Sequence, residues 1–569
     1  MNGDNVASVN IVGWRVLRAG YLTMIQASLS HQETKIGRPY RTWNGSEEFD
    51  AIVVGSGIGG LSAAALLALH EHKRVLVLER HYTAGGFTHV FKRTGYEWDV
   101  GVHYIGGLSS GKSTFGAVFD SITDGKISWE PMGDPYDRFV IGGQTYDFVA
   151  GVERFRENLK RYFPAEASAI DRYIALVQTT ARATRLYFME KALPAPLAWL
   201  AGPLLRRSFL RNAGRTTADV LREITQNRQL IGVLTAQWGD YGLPPGQSSF
   251  GIHALVAWHY INGAAYPVGG ASRIAAAIAP VIERAGGKIL VNAEVKQIHL
   301  DGKRVIGVKM ADGRSIRAKT VISDAGAANT FGRLLPESIP ERSAWMDKLH
   351  RIGPSLAHVN LYVGLRHSDE ELGLGRTNLW VYSTPDHDAN VARFLADPEG
   401  TLPGAYISFP SAKDPTFPER FPGRATIQVI ALANYEWFSR WEEQSWKRRD
   451  DSYEAFKQRF ADRLLELLYA HVPQVRGKVD HAELSTPLST RHFANYSRGE
   501  IYGLAHTPAR FRERFLRPQS PIKGLFLTGQ DVAVCGVEGA LAGGVLCASA
   551  ILGRNLLSTS RKKTVALQR

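Results

Sequence analysis

An α/β architecture is expected, with a Rossmann-like nucleotide-binding domain built from three sequence segments and an inserted mixed α+β substrate domain. Three observations carry this expectation. The apolar run FDAIVV over 49–54 ends in Gly55-Ser56-Gly57-Ile58-Gly59-Gly60 and leads into an alanine- and leucine-rich stretch over 61–70. That is the pattern of a buried parallel strand, a tight turn and a helix. RVLVLE over 74–79 supplies the next buried strand of the unit, and LFLT over 525–528 again meets a glycine, Gly529, before a small-residue helix over 539–552.

Bulk composition agrees. The chain has 569 residues, 44% hydrophobic and 21% charged, which is ordinary globular composition for more than one structural unit. It excludes a disordered tail, a collagen-like chain and a coiled coil. Cys535 and Cys547 cannot build a disulfide framework, and their spacing matches no zinc site, so no metal is expected. No apolar run reaches roughly 18 residues, and the N-terminus lacks a compact apolar core ahead of a small-residue cleavage site. The expected location is therefore cytoplasmic. The net charge of +14 suggests an acidic partner, either nucleic acid or an anionic membrane. No zinc knuckle or RNP motif accompanies it, so nucleic acid is not expected.

In chain order, residues 1–47 carry Ile11, Val12, Trp14, Val16, Leu17, Tyr21, Leu22 and Ile25 at loosely helical spacing, with Arg15 and Arg18 among them. Such a helix lies on a membrane or packs on the body. The nucleotide domain takes residues 48–125, 260–335 and 485–555. In its middle piece, Gly286-Gly287 precedes strands over 288–291, 295–300, 305–310 and 320–323, and Asp301-Gly302 and Asp312-Gly313 supply the turns. The substrate domain takes 126–259 and 336–484, with strands expected over 139–149, 359–363 and 425–433. Residues 556–569 form a basic tail. One turn departs from pattern: where glycine usually joins the first helix to the second strand, His72 or a neighbour fills the slot, and histidine tolerates a left-handed backbone.

The first glycine cluster has a chemical reading. Gly55 permits the tight turn, Gly57 lets backbone approach a diphosphate, and Gly60 lets helix pack on strand. The diphosphate then faces N–H groups at a helix N-terminus. Glu79 ends the second strand, where a carboxylate accepts ribose hydroxyls. Gly85-Gly86, the stretch Gly95-Tyr-Glu-Trp-Asp-Val-Gly101 and the distant Thr528-Gly-Gln-Asp531 add further returns to one site, while no second fingerprint exists for a nicotinamide dinucleotide. FAD is therefore the expected cofactor, and NAD(P)H only an external electron donor.

Longer stretches carry a resemblance: GYEWDVGVHYIGG over 95–107, Gly239-Asp-Tyr-Gly242, Tyr266-Pro-Val-Gly-Gly270, SFPSAKDP over 408–415, Tyr435-Glu-Trp-Phe438, Gly499-Glu-Ile-Tyr-Gly503 and TGQDVAVCGVEGALAGGVL over 528–546. They resemble the retinol saturase family, which is grouped with phytoene desaturases and carotenoid isomerases, through roughly residues 48–555 in the same order. The resemblance implies an elongated apolar tunnel and chemistry on conjugated isoprenoid double bonds. It also implies that Val295 meets the adenine, that 101–104 passes beside the flavin ring, and that Gly529–Asp531 and Val537 meet the ribityl chain and pyrimidine end. The cofactor set is then Gly55, Gly57, Ile58, Gly59, Gly60, Glu79, Arg80, Gly86, Gly101, Val295, Gly529, Gln530, Asp531 and Val537.

Saturating an alkene needs a proton source beside the flavin. His103 and Tyr104 are the first candidates, with Tyr104 favoured because it stays protonated across physiological pH; His259 and Tyr260 follow, then Glu500 and Tyr502. Residues 192–211 mix leucines and Trp199 with Arg206, Arg207 and Arg211, as a peripheral membrane-docking helix would or a buried helix pair with a basic end. The leading reading is an FAD-dependent oxidoreductase saturating or desaturating a long polyene lipid. A redox-neutral polyene cis–trans isomerase and a non-enzymatic prenyl-lipid escort remain as alternatives.

Overall fold

Six strands from three distant stretches of chain meet in one parallel sheet, in the order Arg38–Pro39, Lys288–Val291, Val75–Leu78, Ala51–Val54, Val321–Ser323 and Leu525–Leu527. This is seen in a computed structural model of the chain, which describes residues 35–45, 47–108 and 113–557. The three-segment nucleotide sheet expected from sequence is present, extended by the edge pair Arg38–Pro39 from within the stretch set apart as 1–47. Ala51 to Val54 and Val75 to Leu78 are buried throughout, because both faces of a parallel sheet are covered. Alternation divides them: Ala51, Val53, Val75 and Val77 join the core beneath helices Ile58–Glu71, Ser272–Arg284 and Gly536–Leu552. Ile52, Val54, Leu76 and Leu78 join the opposite core, with Ile298, Val305 and Val308 of the antiparallel sheet Val295–Asp301, Arg304–Met310 and Ser315–Arg317. His72 closes the first helix in the left-handed conformation (φ 50°, ψ 30°), as expected.

The second sheet has seven strands, ordered Val479–Ser485, Ala357–Leu365, Ala425–Ala433, Gly404–Ser408, Asn378–Tyr382, Asp137–Ile141 and Gln144–Phe148. Both stretches read as insertions contribute, joined where Asn378–Tyr382 runs parallel to Asp137–Ile141. The single strand expected over 139–149 is instead a hairpin, because Gly142 and Gly143 both take positive φ (57° and 81°) and reverse the chain.

Helices Ala167–Ala192 and Ala195–Ala213 pack against each other beside this sheet. One expectation about them is corrected. Arg206 does not face outward: its guanidinium is 5% exposed, donates to the Phe511 carbonyl at 2.6 Å, and lies over the Tyr187 ring. A helix C-terminal region and the carbonyls of 511–513 take up its charge. Arg207 and Arg211 are exposed. The apolar–basic helix expected near the N-terminus lies outside the described residues, as does most of the 556–569 tail. No described helix is long and apolar enough to cross a membrane.

Candidate functional site

A cavity of about 740 Å³ opens along the carboxyl ends of the parallel strands and continues between the two sheets. Binding sites in open α/β sheets occupy this position, and the volume is that of a small-molecule site. Its walls run from Gly55, Gly57 and Gly59 past Glu79, Asp324 and Val295 to Gly101, His103, Trp238, Asp240, Trp380, Tyr382 and Tyr406.

At the glycine loop, Gly55 has φ 99° and Gly57 caps helix Ile58–Glu71 with extended backbone. Glu79 ties the loop down: one carboxylate oxygen accepts the Ser56 N–H (2.9 Å) and hydroxyl (2.7 Å), and the other accepts the His81 N–H (2.7 Å). Beside it stands a residue that the sequence reading did not single out. Asp324 follows strand Val321–Ser323, and its carboxyl accepts the backbone N–H groups of Gly60 and Gly57. Burial, and then the Glu79 and Asp531 carboxylates, push it up to about 7 against those donors. Its position at the carboxyl end of a parallel strand was the available signal.

Of the expected cofactor residues, all but Gly60 line the cavity. Gly60 acts in packing: a Cβ there would lie 2.6 Å from the Gly55 carbonyl oxygen. Asp531 accepts the Ala327 N–H (2.8 Å) and the Leu504 N–H (3.1 Å), which joins three segments at one carboxylate. Gln530 donates to the Tyr496 hydroxyl (2.6 Å), and Arg80 to the His492 carbonyl (2.8 Å).

The four first-ranked catalytic candidates are close together, but only His103 lines the cavity. Its imidazole is pushed down to about 3 by burial and the Lys413 ammonium, so it is neutral at physiological pH and holds no imidazolium proton to give. Tyr104 stacks on Tyr260 (4.3 Å between ring centroids, 13°), and its hydroxyl points to Asp137 and Asp240. His259 is a clamp: Nε2 accepts the Gly106 N–H at 2.8 Å and Nδ1 pairs with Glu538 of helix Gly536–Leu552. Tyr502 lines the cavity, whereas Glu500 is buried beside the Arg498 N–H.

These residues fit FAD. The amides at the helix N-terminus already hold an oxygen acceptor, the Asp324 carboxyl. A Cβ on Gly57 would lie 2.5 Å from that carboxyl, and one on Gly59 would lie 2.5 Å from the Gly529 Cα, so the cradle leaves no room for side chains. Glu79 and Asp531 also line this cradle, where they would hold hydroxyls of the cofactor, and bound flavin would supply two-electron chemistry. No group of three or more His, Cys, Asp or Glu residues suited to a metal occurs among the described residues.

Comparison with known proteins gives four findings. The profile of the family "Flavin containing amine oxidoreductase" matches residues 58–552. The all-trans-retinol 13,14-reductase of Danio rerio is 40% identical over 531 residues, 90% of this chain and 87% of that protein. Prolycopene isomerase 2 of an Oncidium hybrid is 29% identical over 468 residues, 79% of this chain and 74% of that one. Among solved structures, putrescine oxidase superposes with a TM-score of 0.60 at 15% identity, covering 89% of this chain and 100% of the other, which supports the fold.

Gly57→Val should give a folded but colourless protein, because its side chain would fill the diphosphate path against Asp324. Visible absorbance beside far-ultraviolet circular dichroism checks this, and a variant as yellow as wild type would contradict the cofactor site.

Proposed function

The chain belongs to the flavin-containing amine oxidoreductase family and is an FAD-dependent oxidoreductase, and from that premise we propose that it saturates carbon–carbon double bonds of a long polyene lipid. The observation that carries this reading is the cavity itself. It joins a dinucleotide cradle to a chamber walled by Trp238, Trp380, Tyr382 and Tyr406, whose rings suit an extended apolar chain. The 40% identity to a retinol 13,14-reductase favours reduction of a conjugated double bond. The likeness to a prolycopene isomerase favours a second reading, cis–trans isomerisation without net electron transfer. A lipid escort is set aside, since the chain is an enzyme with a full flavin cradle.

The chain's own residues contribute orientation and exclusion of water. Lys413 donates to the His103 carbonyl at 3.0 Å and to Ser408 Oγ at 2.7 Å, which pins the 101–104 segment against the second sheet. The His259–Glu538 pair ties the following strand, through the Gly106 N–H, to helix Gly536–Leu552. Aromatic walls keep the chamber apolar.

A water-insoluble substrate calls for delivery from a membrane. Leu197, Trp199, Leu200 and Leu204 are 54–76% exposed along one helix, beside Leu186 and Met189 of its partner helix. Exposed Arg182, Arg185, Arg207 and Arg211 flank them. Apolar side chains at the acyl boundary with arginines at anionic headgroups make a peripheral docking face.

Two outcomes are expected. Anaerobic protein with its flavin reduced, mixed with all-trans-retinol or a longer polyene, should reoxidise as the product gains two hydrogens. Conversion to an isomer of unchanged mass, with the flavin still reduced, would support the isomerase reading instead. Flotation with anionic liposomes should weaken in salt, since surface attraction is screened over about 8 Å at physiological ionic strength. It should weaken further in the double variant Trp199→Glu/Leu200→Glu; flotation unchanged by both treatments would remove the docking face.

A further inference from the structure

Asp240 lines the cavity beside Trp238 and is otherwise largely enclosed by protein. Its carbonyl receives the Cys535 thiol at 3.6 Å, at the cap of helix Gly536–Leu552, so it lies between that helix and the His103–Tyr104 segment. Its carboxyl is 3.0 Å from the Tyr104 hydroxyl, which is also 2.9 Å from Asp137. One hydroxyl carries one proton, so Tyr104 donates to only one of the two carboxyls. The other short contact requires a proton on the carboxyl itself.

The remaining donors decide which carboxyl that is. Asp137 also accepts from Gln237 Nε2 (3.0 Å) and Asn378 Nδ2 (2.9 Å), and Asn378 is in turn held by the buried Lys413 ammonium. Asp240 has Tyr104 as its side-chain partner. Burial pushes both carboxyls upward; on Asp137 the side chains of Asn378, Gln237, Tyr104 and Trp380 oppose it, whereas on Asp240 the Asp137 charge adds to it and Tyr104 alone opposes it. Asp137 is thus the anion of the pair and Asp240 the acid. Tyr260, Tyr382, Tyr406 and Tyr502, which surround the pair, are held neutral by burial.

We propose that Asp240 is the catalytic acid that protonates the polyene carbon, with Tyr104 as the positioning residue that stabilises the carboxylate left behind. This rests on the saturase reading above. Saturating one C=C adds two electrons and two hydrogens. Bound reduced flavin would supply one hydrogen together with both electrons, and an external two-electron donor would restore it. The other arrives as a proton from Asp240, whose O–H bond breaks as the new C–H bond forms. The Tyr104 O–H then turns from Asp137 to the new carboxylate, while Asp137 keeps Gln237 and Asn378. Solvent returns the proton to Asp240 when product leaves the cavity.

The test pairs infrared spectroscopy of the FAD-loaded, substrate-free protein at neutral pH with kinetics on polyenes. Wild type should show protonated-carboxyl C=O absorption, of which Asp240→Asn removes one band while others, such as that of Asp324, remain. Tyr104→Phe should keep that band but shift it to higher frequency, because the carboxyl loses its acceptor. Asp240→Asn should lower kcat about 10²- to 10⁴-fold with KM little changed and the flavin spectrum intact. A protonated-carboxyl region unchanged by Asp240→Asn overturns the proposal. So does a kcat within a few-fold of wild type, or a raised KM at unchanged kcat, which would make Asp240 a substrate anchor. Wild type inert toward every polyene, with the band present, defeats the saturase reading and the proposal with it. An active wild type beside an equally active Asp240→Asn defeats the proposal alone.

Discussion

Everything in this molecule depends on the approach of backbone to backbone where helix Ile58–Glu71 meets the C-terminal segment. A Cβ on Gly543 would lie 2.8 Å from the Gly529 amide nitrogen, and one on Gly544 would lie 2.6 Å from the Gly59 carbonyl. Those distances admit hydrogen and nothing larger. Because the two helices come this close, strand Leu525–Leu527 can join the sheet beside Val321–Ser323 from a distant stretch of the chain. The amides of Gly57 and Gly60 then stand together at the helix N-terminus, where the Asp324 carboxyl accepts both. The cradle, the sheet order and the return of Asp531 to the site follow from that single contact.

The aromatic chamber obeys a different constraint, the cost of charge in a buried place. Asp137 and Lys413 are fully buried and Asp240 and His103 line the cavity within the protein, and desolvation drives each toward its neutral form. Hydrogen bonds then select which group remains charged. Asp137, with donors from Tyr104, Gln237 and Asn378, carries the negative charge; His103 gives up its proton because Lys413 adds its repulsion to burial. A chamber that is apolar enough for a polyene thereby keeps a carboxylic acid at its wall.

Much of this was legible in the sequence, and for physical reasons. Short apolar runs ending in glycine mark parallel strands buried on both faces, so the nucleotide sheet, Glu79 and the returning Asp531 could be placed from pattern alone. The left-handed turn at His72 was readable because few side chains tolerate that backbone. What could not be read depends on tertiary neighbours. The sequence separating Tyr104, Asp137 and Asp240 says nothing of their shared hydrogen bonds, so Tyr104 was taken as a group facing substrate when its hydroxyl faces two carboxyls. Arg206 looked like a headgroup ligand until the carbonyls of 511–513 proved to surround it. Gly142-Gly143 was the missed local signal: two adjacent glycines in a strand pattern mark a hairpin.

A crystal structure of the FAD-loaded protein would test most directly whether the glycine cradle and the aromatic chamber form one catalytic site. The expected result has the diphosphate on the Gly57 and Gly60 amides, with the Asp324 carboxyl displaced from them, and the flavin ring against Gly101, His103 and Val537 facing the Asp240 chamber. FAD bound with Asp324 still on those amides, or with its ring turned away from that chamber, would contradict it.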